Sequence, residues 1–252
     1  MAIIGMKSVV FGSSKQDVIN VLGQPTECIT EQNSSGVTVE SLVYASDYSE
    51  LAVVQIENGV FKGFYTIVRD TIITDGESTY SLRSGGSQSF GKMSITVFND
   101  KIQGGSYAIW AKYDGFSYLY KIFNSTQGHE KLIFHLTNGL RAKHGLPALD
   151  FSDKATTSAR LHSKDMADNG YFNHQSPDGR RAADRMSAQG ISYRTCGENI
   201  ASGYSSPFHF VDGWYNSSGH RSNILYPDFK YLGVGVAVNG SSVHYATQNF
   251  YG

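Results

Sequence analysis

Ahead of residue 129 the apolar positions alternate or run in short blocks; beyond it they recur at three- and four-residue spacing. The first pattern predicts strands. Leu51-Ala52-Val53-Val54-Gln55-Ile56 and Val60-Phe61-Lys62-Gly63-Phe64-Tyr65-Thr66-Ile67-Val68 flank Asn58-Gly59, a strong signal for a tight hairpin. Ser94–Phe98, Ser106–Trp110 and Phe116–Tyr120 read as further strands, with turns at Asn99-Asp100 and Asp114-Gly115. One helix interrupts this pattern. Ser14-Lys15-Gln16-Asp17 has the spacing of a capping box, Val18, Ile19, Val21 and Leu22 follow, and Gly23 with Pro25 ends the run. The first half is expected to be an α+β module built on an antiparallel sheet, its strand aromatics filling a core and not a ligand site.

The second pattern predicts helices. Leu132, Ile133, Leu136 and Leu140 place one from about Glu130 to Lys143. Ser152 caps a second that carries Ala155, Ala159, His162 and Met166 on one face and stops at Asn169-Gly170. Arg180 to Gln189, closed by Gly190, reads as a third, and Ser206-Pro207 opens a fourth through Phe210, Val211 and Trp214. Tyr231–Val238 and Val243–Phe250 alternate around Asn239-Gly240, a closing hairpin. The polar stretch Asn124-Ser125-Thr126-Gln127-Gly128 is the expected linker, which divides the chain into residues 1–124 and 129–252. The second part is expected to be a layered α-β-α domain.

Composition narrows the function classes. A net charge of −1 and a pI near 6.7 provide no basic field for nucleic acid or an anionic bilayer. No run of apolar residues is long enough to span a membrane, and Met1–Met6 lacks the features of an export signal. Two cysteines exclude a disulfide scaffold and a cysteine-only zinc site. All eight histidines lie between His129 and His244, which puts any imidazole chemistry in the second domain.

Several motifs occur there in order: Asn138-Gly139-Leu140-Arg141, Ala159–Met166, Tyr171-Phe172-Asn173-His174, Gly197-Glu198-Asn199-Ile200-Ala201, Gly213–Leu225, Gly233-Val234-Gly235 and Tyr245-Ala246-Thr247-Gln248. Together they resemble a bacterial domain of the CAP superfamily, also called the SCP or pathogenesis-related-1 domain. The resemblance implies an α-β-α sandwich and an extracellular or cell-surface place. The segment Gly12–Pro25 also resembles the short helix of an accessory module that precedes such domains and has an α+β shape.

His174 follows a helix stop, Glu198 follows Gly197, and His220 follows Ser217-Ser218-Gly219, expected as the end of a helix. Two imidazoles and a carboxylate from separate segments suit a divalent metal such as zinc, or acid–base work without one. The resemblance implies a cleft lined by two histidines and two glutamates, and His174, Glu198 and His220 match three of the four. Ser217 stands where the second glutamate is expected. His162 shares an apolar helix face and reads as core, as does Trp214. Arg221 and Asn223 read as loop ties. Ser163, Ser217 and Ser218 lack the Gly-x-Ser-x-Gly elbow of a serine hydrolase. Cys196, two residues before Glu198, reads first as a buried small hydrophobe; the alternatives are a reactive thiol beside His174 or His220, or a partner for Cys28 in a bridge between the halves.

The expectation is a secreted or cell-surface binding protein whose cleft takes a metal ion, a small ligand, a peptide or a cell-wall component, with the first module as a targeting arm. The alternative is a metal-assisted hydrolase or peptidase with Glu198 as general base. A purely structural envelope protein is the third reading.

Overall fold

Ser14 ends an extended segment and accepts a hydrogen bond from the Asp17 backbone N–H, while the Asp17 carboxylate accepts one from the Ser14 backbone N–H. This reciprocal cap satisfies two orphan amides and starts the first helix. The computed structural model describes residues 2–4, 7–32, 36–67, 72–74, 79–80, 86–90, 92–113, 116 and 126–252. Contacts divide the chain into two compact units, 1–124 and 125–252.

The first unit runs β1 (Ala2–Ile4), β2 (Lys7–Val9), α1 (Lys15–Leu22), β3 (Glu27–Gln32), β4 (Thr38–Tyr44), β5 (Ala52–Glu57), β6 (Val60–Thr66), β7 (Ile72–Thr74), β8 (Thr79–Tyr80), β9 (Gly86–Phe90), β10 (Met93–Asn99) and β11 (Ser106–Tyr113). Among the described residues, β3-β4-β5-β6-β11-β10-β9 form one antiparallel sheet and β2-β1-β7-β8 a smaller one. The β5–β6 hairpin turns at Asn58 and Gly59, both with positive φ (48° and 81°), the backbone that a two-residue turn of matching twist requires. Val18 of α1 is fully buried in a core with Leu42, Val54, Phe61, Phe64 and Ile95. Phe11 stacks on Phe61 with centroids 4.6 Å apart, and buried Trp110 donates to Gln55 Oε1 at 3.0 Å. The strand aromatics therefore fill a core, as their alternation predicts. The strands β3 and β4 were not legible in the apolar pattern. Residues 117–120, 114–115 and 124–125 of the expected last strand, turn and linker lie outside the described residues.

The second unit runs α2 (Gln127–Lys143), β12 (Asp150–Phe151), α3 (Asp153–Asn169), α4 (Ala182–Ala188), β13 (Cys196–Ser202), α5 (Pro207–Tyr215), α6 (Ser218–Ile224), β14 (Tyr231–Val238) and β15 (His244–Tyr251). Its sheet has the order β12-β14-β15-β13; β12 is parallel to β14 and the other pairs are antiparallel. Helix α3 lies directly on β14. A Cβ at Gly233 would stand 2.1 Å from the backbone of Ala155 and Thr156, and one at Gly235 would stand 2.0 Å from Arg160 N. Only glycine permits that approach. The intervening Leu232, Val234 and Val236 are buried and project to the opposite face, where α2 packs. Glu130 of α2, almost wholly buried, accepts from Val236 N at 3.0 Å and is bridged by Arg160 Nε of α3 at 2.9 Å. The carboxylate thus satisfies a backbone amide of β14 while linking the two helical layers. This is the expected α-β-α sandwich.

Local boundaries differ in four places. Helix α2 begins at Gln127, so two residues of the expected linker are helical. Helix α4 is shorter than expected because Arg180 and Arg181 stay extended, with Asp184 receiving the Arg181 amide. The β14–β15 connection is a five-residue loop in which Asn239 Oδ1 accepts from Ser241 N and Val243 N, and the positive φ falls on Ser242. His220 does not end α5: it sits in the first turn of its own helix, α6.

Candidate functional site

Glu198 lies on strand β13, not on a loop, and strand alternation turns it under the chain that carries His174. Gly197 before it serves close approach, not unusual backbone: a Cβ would stand 2.8 Å from Asn223 Oδ1 and 2.9 Å from Phe229 Cζ. The Glu198 side chain is 3% exposed. Its Oε2 accepts from Arg185 Nη2 at 2.6 Å and from Asn249 Nδ2 at 3.1 Å; its Oε1 accepts from His174 Nδ1 at 2.9 Å. Arg185, 5% exposed and on α4, spends its other terminal nitrogen on the His174 carbonyl at 3.0 Å, Ser176 Oγ at 3.1 Å and the Arg180 carbonyl at 2.9 Å. One guanidinium therefore neutralises the carboxylate and closes the loop that presents His174. Sequence reading missed Arg185. An arginine beside Met186 on a short helix gives no sign that it faces inward.

The consequences for His174 are specific. A carboxylate held by arginine only accepts, so the proton of neutral His174 lies on Nδ1 and Nε2 keeps its lone pair. The ring is about half exposed and borders an open cleft of about 510 Å³, within the usual range for ligand sites. His220, Ser217, Trp214, Phe172 and Tyr204 also line it. Burial pushes the His220 imidazole below its ordinary pKa, and the neighbouring His174 adds to that. Both histidines are brought to one cleft, and Ser217, in the place of the absent glutamate, joins them. The lining holds no lysine, arginine, aspartate or glutamate; its two histidines are its titratable groups near neutral pH.

His162 is core, as its helix face suggests, yet it lies beneath the site: Nε2 is 4.0 Å from Glu198 Oε1. Neither ring nitrogen makes a well-formed hydrogen bond; the Asn173 backbone, Arg185 and Asp165 are further polar neighbours, and burial depresses its pKa. Asn223 is a tie, donating to the Glu198 carbonyl at 3.1 Å and to Asn199 Oδ1 at 2.9 Å. Arg221 Nη2 donates to Tyr215 Oη at 3.1 Å, which also meets His144 Nε2 at 2.7 Å. Trp214 is buried in the cleft wall. Cys28 and Cys196 are both free thiols. Burial pushes the Cys196 thiol up, away from thiolate reactivity, and it borders a separate hollow beside His174.

The donor set bears on zinc. Both Glu198 oxygens are occupied by cationic or N–H donors, and among the described residues no group of three histidine, cysteine or acidic side chains is placed to hold a metal. Two imidazoles remain, fewer than the three protein ligands of a catalytic zinc site. The residues present do not fit a resident zinc ion that includes Glu198.

The geometry can be set beside known proteins. Residues 134–250 match the model of the CAP, or cysteine-rich secretory protein, family. An uncharacterized protein of Bacillus subtilis, YkwD, is 47% identical over 118 residues, and the uncharacterized membrane protein YlbC of the same organism is 41% identical over 121. The aligned segments are 47% and 48% of this chain but only 46% and 34% of those proteins, so the chain spans less than half the length of either. Over 96% of this chain the fold resembles that of a Bacillus anthracis extracellular protein containing a SCP domain, with a TM-score of 0.73, 24% identity and 93% of that chain covered. A cysteine-rich secretory protein of Staphylococcus aureus gives 0.71 at 12% identity, with 91% of that chain covered. Motif order, sandwich and family match agree on one region: residues 134–250 match the CAP family and share the fold of bacterial SCP-domain structures.

Proposed function

We propose that this protein acts outside the cell as a binding protein, with the His174–His220 cleft as its ligand site and the first unit as a targeting arm. The carrying observation is the state of Glu198. A general base needs a carboxylate free to take a proton, whereas this one is clamped by buried Arg185 and spends its second oxygen orienting His174. What remains open to the cleft is hydrogen-bonding equipment: His174 Nε2, His220 and the Ser217 hydroxyl. That equipment suits selective binding better than hydrolysis. The extracellular designation of the Bacillus anthracis relative supports the location. A divalent metal enters this reading only as a weak ligand of the two imidazoles.

The test is a protein-observed NMR screen of the full chain with zinc, short peptides and oligosaccharides. Shifts that centre on His174 and His220 and vanish in His174→Ala and His220→Ala are the expected result. Zinc shifts, where seen, are expected at about pH 7.5 and lost by about pH 5.5, because only neutral imidazole ligates. Turnover of a peptide or cell-wall substrate that disappears in Glu198→Gln would overturn the binding reading in favour of a hydrolase. Recovery of the protein only from the cytosol on fractionation would overturn the location.

A further inference from the structure

The cleft lining combines aromatic and polar side chains. Phe172, 52% exposed, and Tyr204, 40% exposed, both border it. Other large apolar side chains are exposed as well, but these two share one cleft, the clustering that marks a binding site. Tyr204 is held in place. Its ring meets Phe210 edge-on at 5.4 Å, and it lies against Gly213 of α5, where a Cβ would stand 2.7 Å from Oη and 2.9 Å from two ring carbons. Glycine weakens a helix interior. Its presence at 213 seats the Tyr204 ring against the helix backbone and fixes it as a wall.

We propose that the cleft takes an uncharged oligosaccharide, with Tyr204 and Phe172 as stacking walls and His174, His220 and Ser217 reading its hydroxyls. The proposal rests on the cleft being the binding site, as inferred above, and names its ligand class. A pyranose ring offers an apolar C–H face beside a rim of hydroxyls, each able to donate and accept. The aromatic walls match the face. The polar lining matches the rim, since the His174 and His220 ring nitrogens and the Ser217 hydroxyl can donate to or accept from sugar hydroxyls. A peptide terminus, nucleotide or acidic sugar would bring a charge that no lysine, arginine or carboxylate of the lining answers. The cleft is open, not closed over, and so admits a chain passing across it.

The experiment titrates the full chain with chitotetraose and maltotetraose, with anionic tetragalacturonate and an uncharged tetrapeptide as comparisons, by calorimetry and amide NMR. An uncharged tetrasaccharide is expected to shift amides near 172–174, 202–204 and 213–220, more strongly than the anionic one. Tyr204→Ala and Phe172→Ala are each expected to weaken it about tenfold, the scale of one aromatic packing contact. Gly213→Ala is the decisive variant. The added methyl is expected to keep or raise thermal stability yet displace the Tyr204 ring, with an affinity loss close to that of Tyr204→Ala. Saccharide binding that survives both Tyr204→Ala and Gly213→Ala but falls in His220→Ala overturns the stacking walls and leaves the cleft reading standing. Shifts at His174 and His220 with the tetrapeptide and none with either uncharged tetrasaccharide overturn the ligand class alone. Saccharide shifts elsewhere, indifferent to Tyr204→Ala and His220→Ala, overturn both, and absence of any shift with the uncharged tetrasaccharides overturns this proposal outright. Cosedimentation with insoluble chitin, reversed by chitotetraose, assigns the site to polymeric surface glycan; tetrasaccharide binding without cosedimentation assigns it to free oligosaccharide.

Discussion

Replacing Arg185 by methionine keeps length and flexibility while removing the guanidinium. Arg185 and Glu198 have side chains only 5% and 3% exposed, so the carboxylate left behind has little access to water. His174 Nδ1 and Asn249 still donate to it, but neither is a fixed cation. Breaking one side of a buried ion pair costs about 3–5 kcal/mol, because the surviving charge is uncompensated. The His174 and Arg180 carbonyls are part-buried and can turn to water, so they add little. A unit of this length has about 6–19 kcal/mol in hand at 0.05–0.15 kcal/mol per residue, so Arg185→Met is expected to fold but to be clearly weakened. Hydrogen exchange of the α3 and β15 amides reads this loss in the second unit alone. The double variant Arg185→Met with Glu198→Met removes both charges and is expected to recover most of the loss, leaving about 1–2 kcal/mol. A loss below about 1 kcal/mol in the single variant, or no recovery in the double, would refute the clamp.

Two further outcomes follow from the same unit. Gly235→Ala places a methyl 2.0 Å from Arg160 N, so α3 must lift from the sheet; the expected loss is about 3 kcal/mol or more, read by denaturation, and an unchanged midpoint would refute the close approach. His244, stacked on His129 with centroids 5.9 Å apart, has its pKa pushed down from 6.5 to about 4, first by burial and then by His129. It folds neutral, so its contribution is complete above the unfolded pKa of 6.5 and drains away as pH falls toward 4. Discounted for partial exposure, about 1–2 kcal/mol is expected to disappear over that window, and His244→Gln is expected to flatten the slope. Identical pH profiles for the two proteins would refute this.

Much of the fold was legible because its signals are local. The Ser14 box, the Ser152 cap on Ala155, the Ser206-Pro207 start and the Asn58-Gly59 turn each satisfy backbone groups or fix dihedrals within four residues. Tertiary packing agrees with such signals without creating them. The motif order was equally a property of the chain, and it placed His174, Glu198 and His220 before any geometry was known. What sequence left open was the partner of each group. Arg185 looks like any surface arginine until α4 turns it onto β13, and that encounter leaves Glu198 Oε2 paired with Arg185 and Oε1 with His174. Gly213, Gly233 and Gly235 carry no side chain to reveal that one seats Tyr204 and two admit α3. Residue type constrains what a group can do; burial and neighbours, which only the folded chain assigns, decide which of those things it does.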